Sequence, residues 1–197
     1  MENYHVSETF KMLAKPEFNV LENLSIEEFR LVRRRMIESI LATDMTNHSK
    51  HLSLMKQKLD ALNIKEGNNL DNLLSNNITK NHENQQAVIN LCVHSADISN
   101  PGKPMKIYSK WVDLIFEEFF LQGDLESKSN LPISLLCDRS NTNISKAQIG
   151  FIKFVVLPTF ECLSQIIPAV TNMIDNTTRN LKQYEEILKN EENIVIK

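Results

Sequence analysis

Apolar residues recur along most of this chain at three- and four-residue spacing, without the strict alternation of a strand, and the pattern predicts an all-α protein. From Ser25 to about Met45 the residues Phe29, Val32, Met36 and Ile40 make one stripe, and Ser25 with Glu28 has capping-box spacing. The periodicity fades from Asn63 to Glu83, an Asn-rich stretch that predicts a surface loop. A helix resumes near Glu83 and ends close to Asp97. The next opens at Lys103-Pro104, where proline suits a first turn, and sets Ile107, Trp111, Ile115 and Phe119 on one face. A polar connection from Gly123 to Asn143 follows, and then a helix from Ser145 towards Pro158. Two further helices, roughly 159–167 and 169–189, are expected on either side of Pro168, with a polar tail after Asn190. A compact multi-helix bundle is the default architecture for such a pattern.

Composition narrows the function classes. With 197 residues and 42% apolar content the chain can bury a core and fits one domain, expected over 1–190, with 191–197 as tail. A formal charge of −3, spread along the sequence, gives no electrostatic reason to expect nucleic acid or anionic membrane as partner. No stretch reads as the roughly 18 apolar residues of a membrane span, and MENYHVSETF lacks the character of a secretory signal. Cys92, Cys137 and Cys162 are odd in number and widely spaced, so a disulfide framework is not expected and a reducing, cytoplasmic compartment is.

Four short blocks carry possible chemistry, each with a plain structural alternative. In Ala42-Thr43-Asp44-Met45, an aspartate near a helix C-terminus gains little from its own helix and could simply cap the next turn. In His94-Ser95-Ala96-Asp97-Ile98-Ser99-Asn100-Pro101, imidazole and carboxylate at i, i+3 suit a metal that takes N and O ligands. Turn geometry before a proline explains the same residues. Around Glu117-Glu118-Phe119-Phe120, Ile115 and Phe119 are either core or one wall of a ligand slot. In Ser145-Lys146-Ala147-Gln148-Ile149-Gly150-Phe151, Ser145 and Gln148 have capping-box spacing, while Gln148 with Phe151 would set an amide beside an aromatic face, which suits a purine.

The segments ENYH, ATDM, HSADISNPGKP, EEFFLQGDLE, LCDR and AQIGFIKFVVLPTF occur here in order. From Glu2 to about Pro168 the chain thereby resembles the catalytic domain of the class I 3′,5′-cyclic nucleotide phosphodiesterases, an all-helical family. The resemblance implies hydrolysis of cyclic AMP and/or cyclic GMP at two divalent metal ions, zinc with magnesium or manganese. It makes Asp97 a ligand of the tightly held metal, and Glu2, Thr43 and Asp44 members of the water network around the metals. It makes Gln148 the purine-binding amide, with Phe151 and Ile115 packing on the base and Asn100 and Phe119 lining the slot. The family's H-N-x-x-H segment, later H-D pair and general-acid histidine are absent from these 197 residues. His5, His48, His51, His82 and His94 do not replace them. His94 is expected to be a packed hydrogen-bonding residue, His82 to lie on the surface, and His5 to lie near the site without holding a metal.

The resemblance therefore implies a partial catalytic domain, from a fragmentary gene model or a natural truncation, that is inactive as an isolated chain. An inactive nucleotide-binding relic or sensor is the alternative, and a plain helical interaction domain a further one. The wording lies nearest the calmodulin-stimulated subfamily, although Asn100 stands where that subfamily usually has histidine. Preference between the two nucleotides is not legible from Gln148. Any regulatory domain or homo-oligomer contact would lie outside these segments.

Overall fold

Ser25 begins its helix as its spacing predicts: its backbone N–H donates to Glu28 Oε2 at 2.9 Å, and the Glu28 N–H donates to Ser25 Oγ at 3.3 Å. The structure, a computed structural model, describes residues 1–61 and 82–195. The loop expected from Asn63 onwards lies outside the described residues, and helix is already present at His82. By its internal contacts the chain divides into two compact units, Met1–Asp97 with Cys162–Pro168, and Ile98–Glu161 with Ala169–Lys197. Both are helical, and no strand occurs among the described residues.

The first unit contains α1 (Glu2–Leu13), α2 (Ile26–Leu41), α3 (His48–Ala61) and α4 (His82–Asp97). Helix α2 packs on α1 and α4, and α3 packs on α4. The stripe anticipated on α2 is only half covered, and Phe29 stays exposed. Ser39 is the buried residue of that helix, because the α2–α4 contact is built on a polar network. Gln86 Nε2 donates to Asn90 Oδ1 at 2.7 Å, to Ser39 Oγ at 3.1 Å and to the Arg35 carbonyl at 3.2 Å. Met55, Leu59 and Leu91 supply apolar core to α3 and α4.

The second unit is built from α5 (Met105–Lys128), α6 (Ile144–Phe151) and α8 (Thr171–Val195), together with the N-terminal part of α7 (Leu157–Ser164). Tyr108, Val112, Phe116, Phe120, Ile152 and Tyr184 form its buried apolar cluster. The α5 core stripe is thus the series one residue along from Ile107, Trp111, Ile115 and Phe119, which leaves the alternative of a slot wall open for Ile115 and Phe119. Two parallel i, i+4 series run along this helix, and the one with three large aromatics takes the interior. Ile107, Trp111 and Ile115 of the other series remain exposed, with the Lys103 ammonium 5.4 Å from the Trp111 ring centre.

Several boundaries differ from expectation. Helix α5 continues five residues past Gly123, because the polar run that suggested a connection is only its exposed face. Gly123 itself is buried: a Cβ there would lie 2.0 Å from the Cys137 carbonyl oxygen. Helix does not stop at Pro158 either. A π turn, Ile152–Val156, joins α6 to α7 and widens the backbone just before the proline, whose ring would crowd a regular turn. The Thr159 hydroxyl donates to the Val155 carbonyl there at 2.7 Å.

The resulting 21-residue run, Ile144–Ser164, is long and apolar enough by length and composition to cross a membrane, contrary to the sequence reading. Ser145, Gln148, Ile152, Val156, Thr159 and Phe160 are buried, whereas Phe154 is exposed, and 39% of the apolar window lies inside the fold. Finally, α8 runs on to Val195, through the residues expected as polar tail. Glu191 explains part of that extension, since it receives hydrogen bonds from α6.

Candidate functional site

The predicted residues fall into one group in each unit. In the first, Asp44 terminates the α2 region and caps the short 3-10 turn Met45–Asn47, accepting from the Thr46 hydroxyl at 2.7 Å, the Thr46 N–H at 2.9 Å and Asn47 Nδ2 at 3.3 Å. These bonds, the Thr46 hydroxyl first, hold its carboxyl below the ordinary range. The structural alternative for the ATDM block is therefore realised, and the Asp44 carboxylate is also kept charged. Thr43 turns its hydroxyl proton to the Ile40 carbonyl at 2.8 Å, leaving its oxygen lone pairs open. Glu2, at the start of α1, is brought close enough that the Asp44 charge acts on it. Its carboxyl is nevertheless lowered, chiefly by its own backbone N–H and then by the terminal amine.

Asp97 ends α4 and is exposed, whereas His94, one turn earlier, faces inward. His94 Nε2 lies 2.8 Å from His48 Nδ1 of α3, and both rings are buried. His94 is thus the packed hydrogen-bonding residue anticipated. Burial lowers the pKa of each of the two, and the Asp97 charge partly opposes this for His94. His82 and His5 are exposed. Among the described residues no group of three or more His, Cys, Asp or Glu side chains comes together to hold a metal ion. Asp97 by itself offers one carboxylate where a zinc or magnesium centre needs several donors, so the residues present do not fit a metal centre on their own.

In the second unit Gln148 is buried on α6, and its Oε1 accepts from the Tyr108 hydroxyl of α5 at 2.5 Å. Its expected capping partnership with Ser145 is not formed. Asn143 caps α6 instead, its Oδ1 accepting from the Lys146 N–H at 2.7 Å, and the glutamine is left free of a capping duty. Burial, reinforced by the Tyr184 ring beside it, pushes the Tyr108 phenol far up and keeps it a donor. Phe151, one turn beyond Gln148, is half-buried. On α5, Ile115 lies seven residues after Tyr108, which returns it to nearly the same side of the helix, and it is exposed. Phe119 follows one turn later, half-buried against the aromatic cluster.

Asn100 opens the turn Asn100–Gly102, and α8 staples that turn in place. Asn180 Nδ2 donates to the Pro101 and Lys103 carbonyls at 2.8 and 2.7 Å, and Asn176 Nδ2 to the Gly102 carbonyl at 3.0 Å. Asn100 Oδ1 is buried without a hydrogen-bond partner, an acceptor that a ligand or water donor would satisfy.

Residues 1–177 match the family model described as 3′5′-cyclic nucleotide phosphodiesterase. The chain belongs to this family. It is 40% identical over 170 residues to a Drosophila melanogaster dual specificity calcium/calmodulin-dependent 3′,5′-cyclic nucleotide phosphodiesterase, a match covering 86% of this chain and 18% of the fly protein. It is 36% identical over 189 residues to isoform F of a Drosophila melanogaster 3′,5′-cyclic-AMP phosphodiesterase, covering 95% of this chain and 28% of that one. Among solved structures, the phosphodiesterase domain of the Salpingoeca rosetta rhodopsin phosphodiesterase superposes with a TM-score of 0.85 at 32% identity, covering 98% of this chain and 56% of that domain. The chain thus spans less than a third of each of these fly relatives, and just over half of the solved domain.

Within this phosphodiesterase fold, Tyr108, Asn143 and Glu191 were missed in sequence. Tyr108 was legible as a member of the 108/112/116/120 series. Asn143, an Asx three residues before an amide N–H, was obscured by Ser145 two residues later. For Glu191 no local signal existed, because its partners are nearly fifty residues away.

Proposed function

We propose that this chain forms the nucleotide-recognising part of a cyclic nucleotide phosphodiesterase, which hydrolyses cyclic AMP and/or cyclic GMP to the 5′-monophosphate by adding water across the P–O3′ bond. The observation that carries the reading is Gln148, a buried amide released from capping and held at one end by Tyr108. Its Nε2 end is left to read a purine edge. Phe151, Ile115 and Phe119 supply apolar and aromatic surface for the base, and the orphaned Asn100 Oδ1 supplies an acceptor. In the first unit, Asp97 would contribute one carboxylate to the divalent ions of the family. Thr43, Asp44 and Glu2 would orient water through their charged or lone-pair-bearing oxygens.

The 197 residues contain neither an H-N-x-x-H segment nor an H-D pair, so this polypeptide by itself binds nucleotide without turning it over. Calorimetric titration of the chain with cyclic AMP and with cyclic GMP tests the reading, alongside Gln148→Ala. Saturable binding that the variant weakens about tenfold or more supports it. Failure of the wild-type chain to bind either nucleotide overturns it. Release of 5′-monophosphate by the chain alone would refute the claim of inactivity. Turnover that appears only when a segment bearing those histidines is supplied would exclude a pure sensor.

A further inference from the structure

One carboxylate near the end of α8 holds the start of the helix that carries Gln148. Glu191 Oε2 accepts from Asn143 Nδ2 at 2.9 Å, and Glu191 Oε1 accepts from the buried Ser145 hydroxyl at 2.9 Å. Asn143 is the N-cap of α6, and its amide can cap only with the oxygen towards the Lys146 N–H. By taking the amide's NH2 end, Glu191 fixes that orientation. Its charge also complements the positive end of α6. Gln148 lies in the second turn of α6, at the start of the continuous helical run Ile144–Ser164. The first N–H groups of that run have no partner within the helix, so its first turn depends on its cap for definition. The slot glutamine is therefore held from two directions, its side chain by Tyr108 and the first turn of its helix by Glu191.

We propose that Glu191, which lies beyond the 177 residues matched by the family model, is a positioning residue for nucleotide recognition, acting through Asn143 and Ser145 on the placement of Gln148. The consequence for ligand rests on the function proposed above. Removing the carboxylate lets the first turn of α6 fray and spreads the Gln148 amide over several positions. The purine-reading hydrogen bond is then lost more than the stacking surface.

The test uses the full chain as wild type, Glu191→Ala, Glu191→Gln and Glu191→Asp, each also in a Gln148→Ala background. Glu191→Gln keeps the shape of the side chain but presents an NH2 to one of the two donors, so it remains informative if Glu191→Ala folds poorly. Cyclic AMP affinity is expected to fall about fivefold in Glu191→Gln and to recover partly in Glu191→Asp, with no further fall when Gln148 is already alanine. Equal losses in both backgrounds would mean that Glu191 acts only on stability, and would overturn the proposal. A second readout is independent of nucleotide. The Lys146 and Ala147 amides should exchange hydrogen faster in Glu191→Gln, and the Gln148 side-chain amide resonances should shift. If neither changes, the proposal falls. If both change in a chain that binds no nucleotide, Glu191 positions Gln148 as inferred and it is the phosphodiesterase reading that fails.

Discussion

The Tyr108 hydroxyl donates to Gln148 Oε1 across 2.5 Å, between two buried side chains on different helices. A phenol is protonated over the physiological pH range in any case, and burial pushes Tyr108 further up, so this bond does not change there. Adenine and guanine present their donors and acceptors in opposite order, so on the function proposed above an amide held at one end would discriminate between them. Tyr108→Phe is expected to cost about 1–2 kcal/mol of stability, since a buried acceptor loses its donor. It should also bring the affinities for cyclic AMP and cyclic GMP closer together, as measured by titration with each. A ratio that stays as in the wild type would show that the phenol does not set the amide.

Gly123 sits where α5 meets the segment carrying Cys137, and no side chain fits there. An added Cβ would lie 2.0 Å from the Cys137 carbonyl oxygen and 2.8 Å from its carbon, both backbone atoms. Nearby Leu136 already holds a φ of 68°, a left-handed conformation that leaves this segment little freedom to retreat. Gly123→Ala should therefore destabilise the chain by roughly 1–3 kcal/mol, visible as a midpoint lowered by several degrees in thermal unfolding. An unchanged midpoint would mean the segment moves at no cost.

These two cases show how much was legible in advance. Helical class and the Ser25 capping box follow from local spacing, and local spacing is what sequence displays; Ser145 and Gln148 have the same spacing but form no capping box, because Asn143 takes the cap. Which α5 series is core was not legible, because Ile107, Trp111, Ile115 and Phe119 satisfy the same periodicity as Tyr108, Val112, Phe116 and Phe120. Only packing against Ile152 and Tyr184 chooses between them. Gly123 read as a breaker because glycine ends helices more often than it admits a neighbouring carbonyl. Pro158 read as a stop because the π turn before it has no sequence signature. Glu191 looked like tail because its meaning lies in Asn143 and Ser145.

His48 and His94 share a buried hydrogen bond, and each is held below the usual 6.5, by burial first. The charge of His51 adds to this for both, and that of Asp97 opposes it for His94. The unfolded chain therefore takes up these protons at a higher pH than the native one. Their contribution to stability is complete above the unfolded value and is lost as the pH falls through the lower native values. Urea unfolding at about pH 7.5 and about pH 5.5 should show the loss, because the carboxyls with lowered values titrate below that window. Replacing both histidines by asparagine should flatten the dependence. A slope that persists would assign it to other groups.

At Asp97, stability and the metal-binding role proposed above point in opposite directions. It is the last residue of α4, where the partial negative charge of the helix end disfavours a carboxylate, and it is exposed. Near neutral pH the buried His94 is uncharged, so Asp97 has no imidazolium to pair with. An aspartate kept for the fold would be missed when replaced, but this one should not be. Asp97→Asn is expected to leave the thermal midpoint of the chain unchanged or to raise it by about a degree or two. In a protein carrying the family's remaining metal-binding histidines, the same change should sharply weaken metal uptake, read by titration with zinc. Parallel unfolding curves of the two proteins decide the first point. A clear drop in the midpoint would make Asp97 a structural cap and remove the reason to regard it as a metal ligand held in reserve at the helix end.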